Sequence, residues 1–465
     1  MSVDDICWAD AGAIVDAVRD GKISAADVVG NVLKRIDQID GDLNAFVTVC
    51  ADEAMAVARA ADARRPKGQV LGPLDGVPVS VKDIILTKGV RTTAGSKLQE
   101  TFIPDVDAIV VERLKAAGAI IIGKTTTPEY CHKTIADSPL TGETRNPWDL
   151  TRTPGGSSGG SAVAVAAGMG PISIGTDGGG SIRLPAALCG VVGLKPTSGM
   201  IPQWPVISGW DLLGQTGPLA RSVADIARVM QVISGPDTRD PDSLISPKEP
   251  RQGKPRIAWT HSLDQITPEP EVARALADTV SAARDIASRL DQVVLNWSDP
   301  DQQFRVIVLS DLAAALGSRI AVEAERSVMD PGLIQMIEFG QTLTGSDLAR
   351  ALKWRRMFTA RVLTWFRDFD ILIVPTAPVT AFALGSLGPR VISGKKTSPY
   401  AWFGWTWPFN ATGQPALSLP VVSSTERPVG IQIIGRPGED ALVLSVAAEI
   451  EKRLGCIARP PIAAG

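Results

Sequence analysis

The spacing of apolar residues changes character along the chain. Up to about residue 64 it is helical. Val28, Val29, Val32, Leu33 and Ile36 fall on one helix face. Ser24-Ala25-Ala26-Asp27 supplies the start, with serine as cap and an acid in the first turn. A second helix is predicted from Ala51 to Arg64. From Leu71 short apolar runs take over. The run from Val77 to Ile84 predicts a buried strand, Val106 to Ala117 a helix, and Ala119 to Gly123 a short strand. Ala162 to Ala167 continues as an alanine-rich helix, and Pro171 to Gly175 as a strand. Strands alternating with helices imply an α/β fold.

Further on, Ser222 to Ile233 predicts a helix. Residues 235–345 offer helices near 270–290 and 305–326 and no motif with assignable chemistry. Strands return at 370–375, 416–420 and 429–434, followed by a closing helix from Ala441 to Arg453. No repeat, low-complexity linker or block of like charge divides the chain, so one large domain is expected despite its 465 residues.

The formal charge of −3 argues against nucleic acid as the main partner, because phosphate binding wants a basic face. The one basic stretch, from Lys353-Trp354-Arg355-Arg356 to Arg367, reads as the solvated face of an amphipathic helix rather than a membrane-surface helix. The five cysteines, at 7, 50, 131, 189 and 456, are scattered and form no CxxC pair, which points to a reducing compartment. The N-terminal residues are acidic and carry no apolar segment, and no apolar run reaches membrane length. A cytoplasmic protein, with no membrane partner, is expected. His132 and His261, the only histidines, make a poor metal-ligand set, so neither metal nor cofactor is expected.

Two glycine-rich serine loops dominate the chemistry: Gly155-Gly156-Ser157-Ser158-Gly159-Gly160-Ser161 and Gly175-Thr176-Asp177-Gly178-Gly179-Gly180-Ser181. Glycine lets backbone approach a ligand closely and leaves N–H groups around a serine hydroxyl, the setting of a nucleophile beside an oxyanion site. The first loop also fits GxSxG, the nucleophile elbow of α/β-hydrolases, with Ser157 or Ser158 as nucleophile. That reading needs a later histidine, and only His261 qualifies. Cys131 and His132 could form a thiol pair, but adjacent residues rarely reach that geometry. Lys82 ends an apolar strand. Burial disfavours its ammonium form, and holding it neutral near pH 7 takes about 4–5 kcal/mol. Asp83 would oppose this, but consecutive strand residues face opposite ways.

These residues reach a family. The stretch from Asn146-Pro147-Trp148 through both serine loops to Gly193-Leu194-Lys195-Pro196-Thr197 resembles the amidase signature family. So do Gly76 to Asp83, Gly217 to Ser222, Pro408-Phe409-Asn410, Gly413 to Ala416, and Gly430-Ile431-Gln432. The resemblance spans almost the whole chain. It implies one large α/β domain, a central twisted mixed sheet covered by helices on both faces. Within it, residues 1–64 would be an N-terminal helical part and 65–235 the catalytic core. Residues 236–345 would be a variable helical part, and 346–465 a part returning to the sheet.

The resemblance also implies a Ser–cis-Ser–Lys triad, with Ser181 as nucleophile, Ser157 as the bridging serine after a cis peptide, and Lys82 as base. It implies an oxyanion hole from the N–H groups of Gly178, Gly179, Gly180 and Ser181. Asp177 and Arg183 would brace that loop, and Cys131 and Lys133 would form the acyl-pocket lip. The aromatic run around Trp402 offers a substrate-pocket wall or, equally, core packing. The implied activity is hydrolysis of linear carboxamides through an acyl-enzyme, extending to aryl amides, carbamates or esters, which share the electrophilic carbonyl. The expected partner is such a small acyl substrate, with a homodimer as candidate assembly. The competing family role is the glutaminase-type subunit of a tRNA-dependent amidotransferase, although residues 128–133 lack the Met-Gly lip of that subgroup.

Overall fold

The computed structural model describes residues 6–206, 209–243, 245, 253–263, 266–295, 297, 301–422, 427–455 and 459–464. Local chemistry starts its helices where the sequence places them. The Ser24 hydroxyl accepts the Asp27 N–H at 2.9 Å and opens helix Ala25–Leu43, which buries Val28, Val29, Val32 and Ile36. That helix ends at Asn44, in the left-handed region at φ 53°. Ser222 caps helix Val223–Ile233 in the same way, accepting the Asp225 N–H at 3.2 Å.

Eleven strands form one mixed sheet. In chain order they are β1 (Phe46–Val49), β2 (Pro78–Lys82), β3 (Ile120–Thr125), β4 (Ile172–Asp177), β5 (Val192–Lys195), β6 (Gln215–Ala220), β7 (Arg256–Trp259), β8 (Arg289–Gln292), β9 (Ile371–Pro375), β10 (Ala416–Val422) and β11 (Pro428–Ile434). Their spatial order is β1-β3-β2-β4-β6-β5-β10-β11-β9-β7-β8. β2 lies parallel between β3 and β4, and every residue of it is buried. Beyond β4 the pairing is antiparallel through to β9, which then runs parallel to β7. The expected α/β class, single domain and helix-flanked mixed sheet are what the fold shows. One continuous apolar core runs from Ile6 to Ile450.

Residues 236–345 carry the expected helices, among them Pro270–Ala283, Asp301–Leu316 and Pro331–Gln341, and depart from the expectation in two strands. They supply β7 and β8, which extend the sheet to its far edge. Both are four residues long and only partly buried. Such short pieces, Arg-Ile-Ala-Trp and Arg-Leu-Asp-Gln, carry too little alternation to announce a strand. The basic segment lies in helix Gly345–Trp365, which buries Ala351, Phe358 and Val362, except for Arg367 just past the helix end. Among the described residues no helix is long and apolar enough to cross a membrane.

Candidate active site

The position of Lys82 follows from the sheet. It is the last residue of a strand with neighbours on both sides, and its side chain is fully buried. Its ammonium nitrogen lies 2.6 Å from Ser157 Oγ and 2.8 Å from Thr176 Oγ1. Burial lowers the Lys82 pKa from the ordinary lysine value; the Cys131 thiol and the Asp177 carboxylate nearby oppose that shift. Asp83 turns elsewhere. Its carboxylate accepts the N–H and hydroxyl of Thr93.

The two serine loops close over this strand end. The Gly156–Ser157 peptide is cis. Ser157 is fully buried, and the next residue starts the turn into helix Gly159–Ala166. Ser158 ties the loops together: its N–H donates to the Ser181 carbonyl at 3.0 Å, and its hydroxyl donates to the Thr176 carbonyl at 3.1 Å. The Ser158 hydroxyl is thus engaged in structure. Ser181 leads into helix Arg183–Cys189, with Pro185 third in that helix as its fixed φ allows.

Asp177 and Arg183 hold the turn between them. Arg183 donates through Nε and Nη2 to the two Asp177 oxygens, each at 2.9 Å. It also reaches the Thr406 carbonyl at 2.8 Å, Gln432 Oε1 at 3.0 Å and Asn410 Oδ1 at 2.6 Å. Asn410 returns a bond to the Asp177 carbonyl at 2.7 Å. Burial alone would raise the Asp177 pKa, but the Arg183 charge and these bonds outweigh it and hold the carboxyl well below the usual range. Asp177 Oδ1 takes the Gly180 N–H at 2.7 Å, and Oδ2 takes the Ile182 N–H at 3.1 Å. This corrects one expected role. The Gly180 N–H is already spent on the carboxylate. Gly180 itself is required, since its φ is 133° and a Cβ there would collide with Thr406 Oγ1.

A cavity of about 450 Å³ opens beside these groups, lined by Ser157, Thr176, Gly178, Ser181 and Cys131. Ile84, Ile85, Ala108, Val110, Ile201, Trp204 and Trp210 make part of its wall apolar, while Gln203, Asp211, Gln215, Asp240 and Asp242 line it with polar groups. Cys131, expected at the acyl-pocket lip, lies in the cavity lining. Lys133 does not line it: its ammonium sits between Asp330 and Asp137, at 2.8 and 2.7 Å. Trp402 is also elsewhere. It is fully buried against Leu184, Leu188 and Ala377, and its indole donates to the Leu387 carbonyl at 3.0 Å. An aromatic-rich segment does not reveal which way each ring points, and this one points into the core. The cavity's tryptophans, Trp204 and Trp210, lie in a loop without a recognisable motif. Thr176, Asn410 and Gln432 join the site with no role legible in the sequence, although the matching motifs contain all three.

His261 is exposed, packs edge-on to Trp259 at 5.2 Å and does not line the cavity. The Ser–His elbow therefore has no base at hand. His132 is bonded through Nδ1 to the Glu129 carbonyl at 2.7 Å and does not pair with Cys131. Among the described residues, no group of histidine, cysteine and acidic side chains could hold a metal ion.

Known proteins resemble this chain along nearly its whole length. The family model described as Amidase matches residues 27–444. The acylamidase of Rhodococcus erythropolis is 34% identical, covering 97% of this chain and 96% of its own. One component of the glutamyl-tRNA(Gln) amidotransferase of Anaeromyxobacter dehalogenans (strain 2CP-C) is 38% identical, covering 97% of each. The crystal structure of a bacterial aryl acylamidase of the amidase signature family superposes with a TM-score of 0.91 at 26% identity, covering 98% of this chain and 99% of that one.

Proposed function

The chain belongs to the amidase signature family, and from that premise we propose that it hydrolyses the C–N bond of small apolar carboxamides through an acyl-enzyme on Ser181. One observation carries the reading: a fully buried lysine whose nitrogen is 2.6 Å from a buried serine hydroxyl, at the edge of the cavity that Ser181 lines. A neutral amine has two hydrogens and one lone pair. The Thr176 hydroxyl takes one hydrogen at 2.8 Å and the Thr176 carbonyl, at 3.5 Å, is placed for the other, so the lone pair can face Ser157. Lys82 accepts the Ser157 proton as Ser157 accepts that of Ser181. Ser181 Oγ then bonds to the amide carbon, and the carbonyl oxygen becomes an oxyanion held by the Gly178, Gly179 and Ser181 N–H groups. Lys82 and Ser157 pass a proton to the amine nitrogen, the C–N bond breaks, and the amine leaves. Water repeats the relay on the acyl-serine, releasing the acid.

The apolar part of the wall supports an alkyl or aryl substituent on the substrate, and carbamates and esters present the same carbonyl. The scattered cysteines fit a cytoplasmic enzyme. A panel of amides, anilides, carbamates and esters, read for released amine and acid, tests the reading. Turnover of amides that is lost in Ser181→Ala supports it. Turnover retained by that variant refutes it.

The likeness to the amidotransferase component supports a second reading, in which the chain releases ammonia from glutamine within a complex. Glutamine as sole substrate, together with a stable heteromeric partner on purification, would favour it.

A further inference from the structure

Trp210 lines the cavity and touches two of the loops around it. Its indole N–H donates to the Tyr130 carbonyl at 3.1 Å, one residue before Cys131. On the other side its ring lies directly on Gly178, where a Cβ would collide with Trp210 Cε3. The backbone beneath the ring is a tight turn, with the Trp210 carbonyl accepting the Leu213 and Gly214 N–H groups at 3.3 and 2.7 Å. Trp210 and Gly178 both line the cavity with Ser181.

We propose that Trp210 is the specificity-determining residue of this cavity, its indole limiting the length of the apolar group a substrate can place beside the Gly178 turn. The chemistry invoked rests on the amidase reading above; the shape argument does not. The ring is fixed at both ends, by a hydrogen bond to one loop and by contact with a glycine of the other, so it acts as a stop and not as a swinging side chain. Truncating it opens a space bounded by the Tyr130 carbonyl and Gly178. Packed surroundings collapse only partly into such a space, so a longer substituent can fill it.

The inference is tested with primary amides of rising length, from propionamide to 4-phenylbutyramide. Turnover is measured in the parent, Trp210→Phe, Trp210→Leu and Trp210→Ala. Binding of the same amides is measured by calorimetry in each of these on a Lys82→Met background. The ratio of kcat/KM for 4-phenylbutyramide to that for propionamide is expected to rise about tenfold or more in Trp210→Ala, and in the same direction in Trp210→Leu. Trp210→Phe keeps a ring on Gly178 and is expected to stay near the parent ratio. The binding ratio should follow. Trp210→Leu keeps the test valid if the alanine variant does not fold. An unchanged ratio in the folded small-residue variants overturns the inference. If no form turns over an amide but the binding ratio still shifts, the amidase reading falls and the inference stands. If the parent and the variants bind none, both fall.

Discussion

Arg183 holds Asp177 side-on, through two bonds of 2.9 Å, and neither side chain has any solvent exposure. The pair fixes the turn that presents Ser181, because the same carboxylate also takes the Gly180 and Ile182 N–H groups. Removing one partner strands the other charge in a dry interior, at a cost of about 3–5 kcal/mol. Arg183→Ala is expected to lower unfolding stability by that order in urea melts and to depress kcat through the displaced turn. An unchanged urea midpoint would contradict a structural role for the pair.

Thr176 Oγ1, 2.8 Å from Lys82 Nζ, orients the amine toward Ser157. Thr176→Val keeps the shape and deletes the acceptor. We expect kcat to fall about tenfold with KM nearly unchanged, the pattern of a lost orienting contact. Because the hydroxyl also favours the charged amine, the acid limb of the kcat/KM profile should move to lower pH in this variant. A raised KM at constant kcat would place Thr176 in substrate binding instead.

Much of this site is legible in the sequence, because its residues lie in contiguous glycine-rich runs and at the end of an apolar strand. Lys82 is an example: the mostly apolar run Val77-Pro78-Val79-Ser80-Val81 leading to a lysine at a strand end foretells burial. What is not legible depends on contacts across large sequence separations. Nothing near Trp402 or Trp210 says which ring faces the cavity. β7 and β8 are missed for a related reason, since short edge strands are defined by the neighbour they pair with and not by their own pattern.

Lys195 gives a prediction about stability. Burial, followed by the nearby Arg183 charge, lowers its pKa to about 7, while its ammonium has the Pro196 carbonyl at 2.7 Å. The sign follows from linkage. Between about pH 7 and the ordinary lysine value, the unfolded chain carries a proton on Lys195 that the folded chain has released, so stability rises with pH across that window. Below pH 7 both states are protonated and the contribution is flat. Lys195→Met should flatten the rise, by up to about 1.4 kcal/mol per pH unit, in urea melts taken at several pH values between 7 and 10. Equal slopes in parent and variant would show that Lys195 stays charged in the fold.

His261 is exposed at the end of β7 and does not line the cavity. His261→Ala is therefore expected to leave kcat/KM within about twofold of the parent, as for a surface substitution far from the reacting groups. A loss of several orders of magnitude would revive a histidine base and undo the lysine relay.

The central claim is that Lys82 serves as the base for Ser181, acting through Ser157. The rate at which a fluorophosphonate labels Ser181, followed across pH in the parent and in Lys82→Met, tests it most directly, with peptide mapping to confirm the labelled residue. In the parent, labelling should rise with pH to a plateau reached below the ordinary lysine range, because burial lowers the Lys82 pKa. Lys82→Met should label slower by about 10²–10⁴-fold and lose that rise. Labelling of Lys82→Met at the parental rate, or at a residue other than Ser181, would contradict the account.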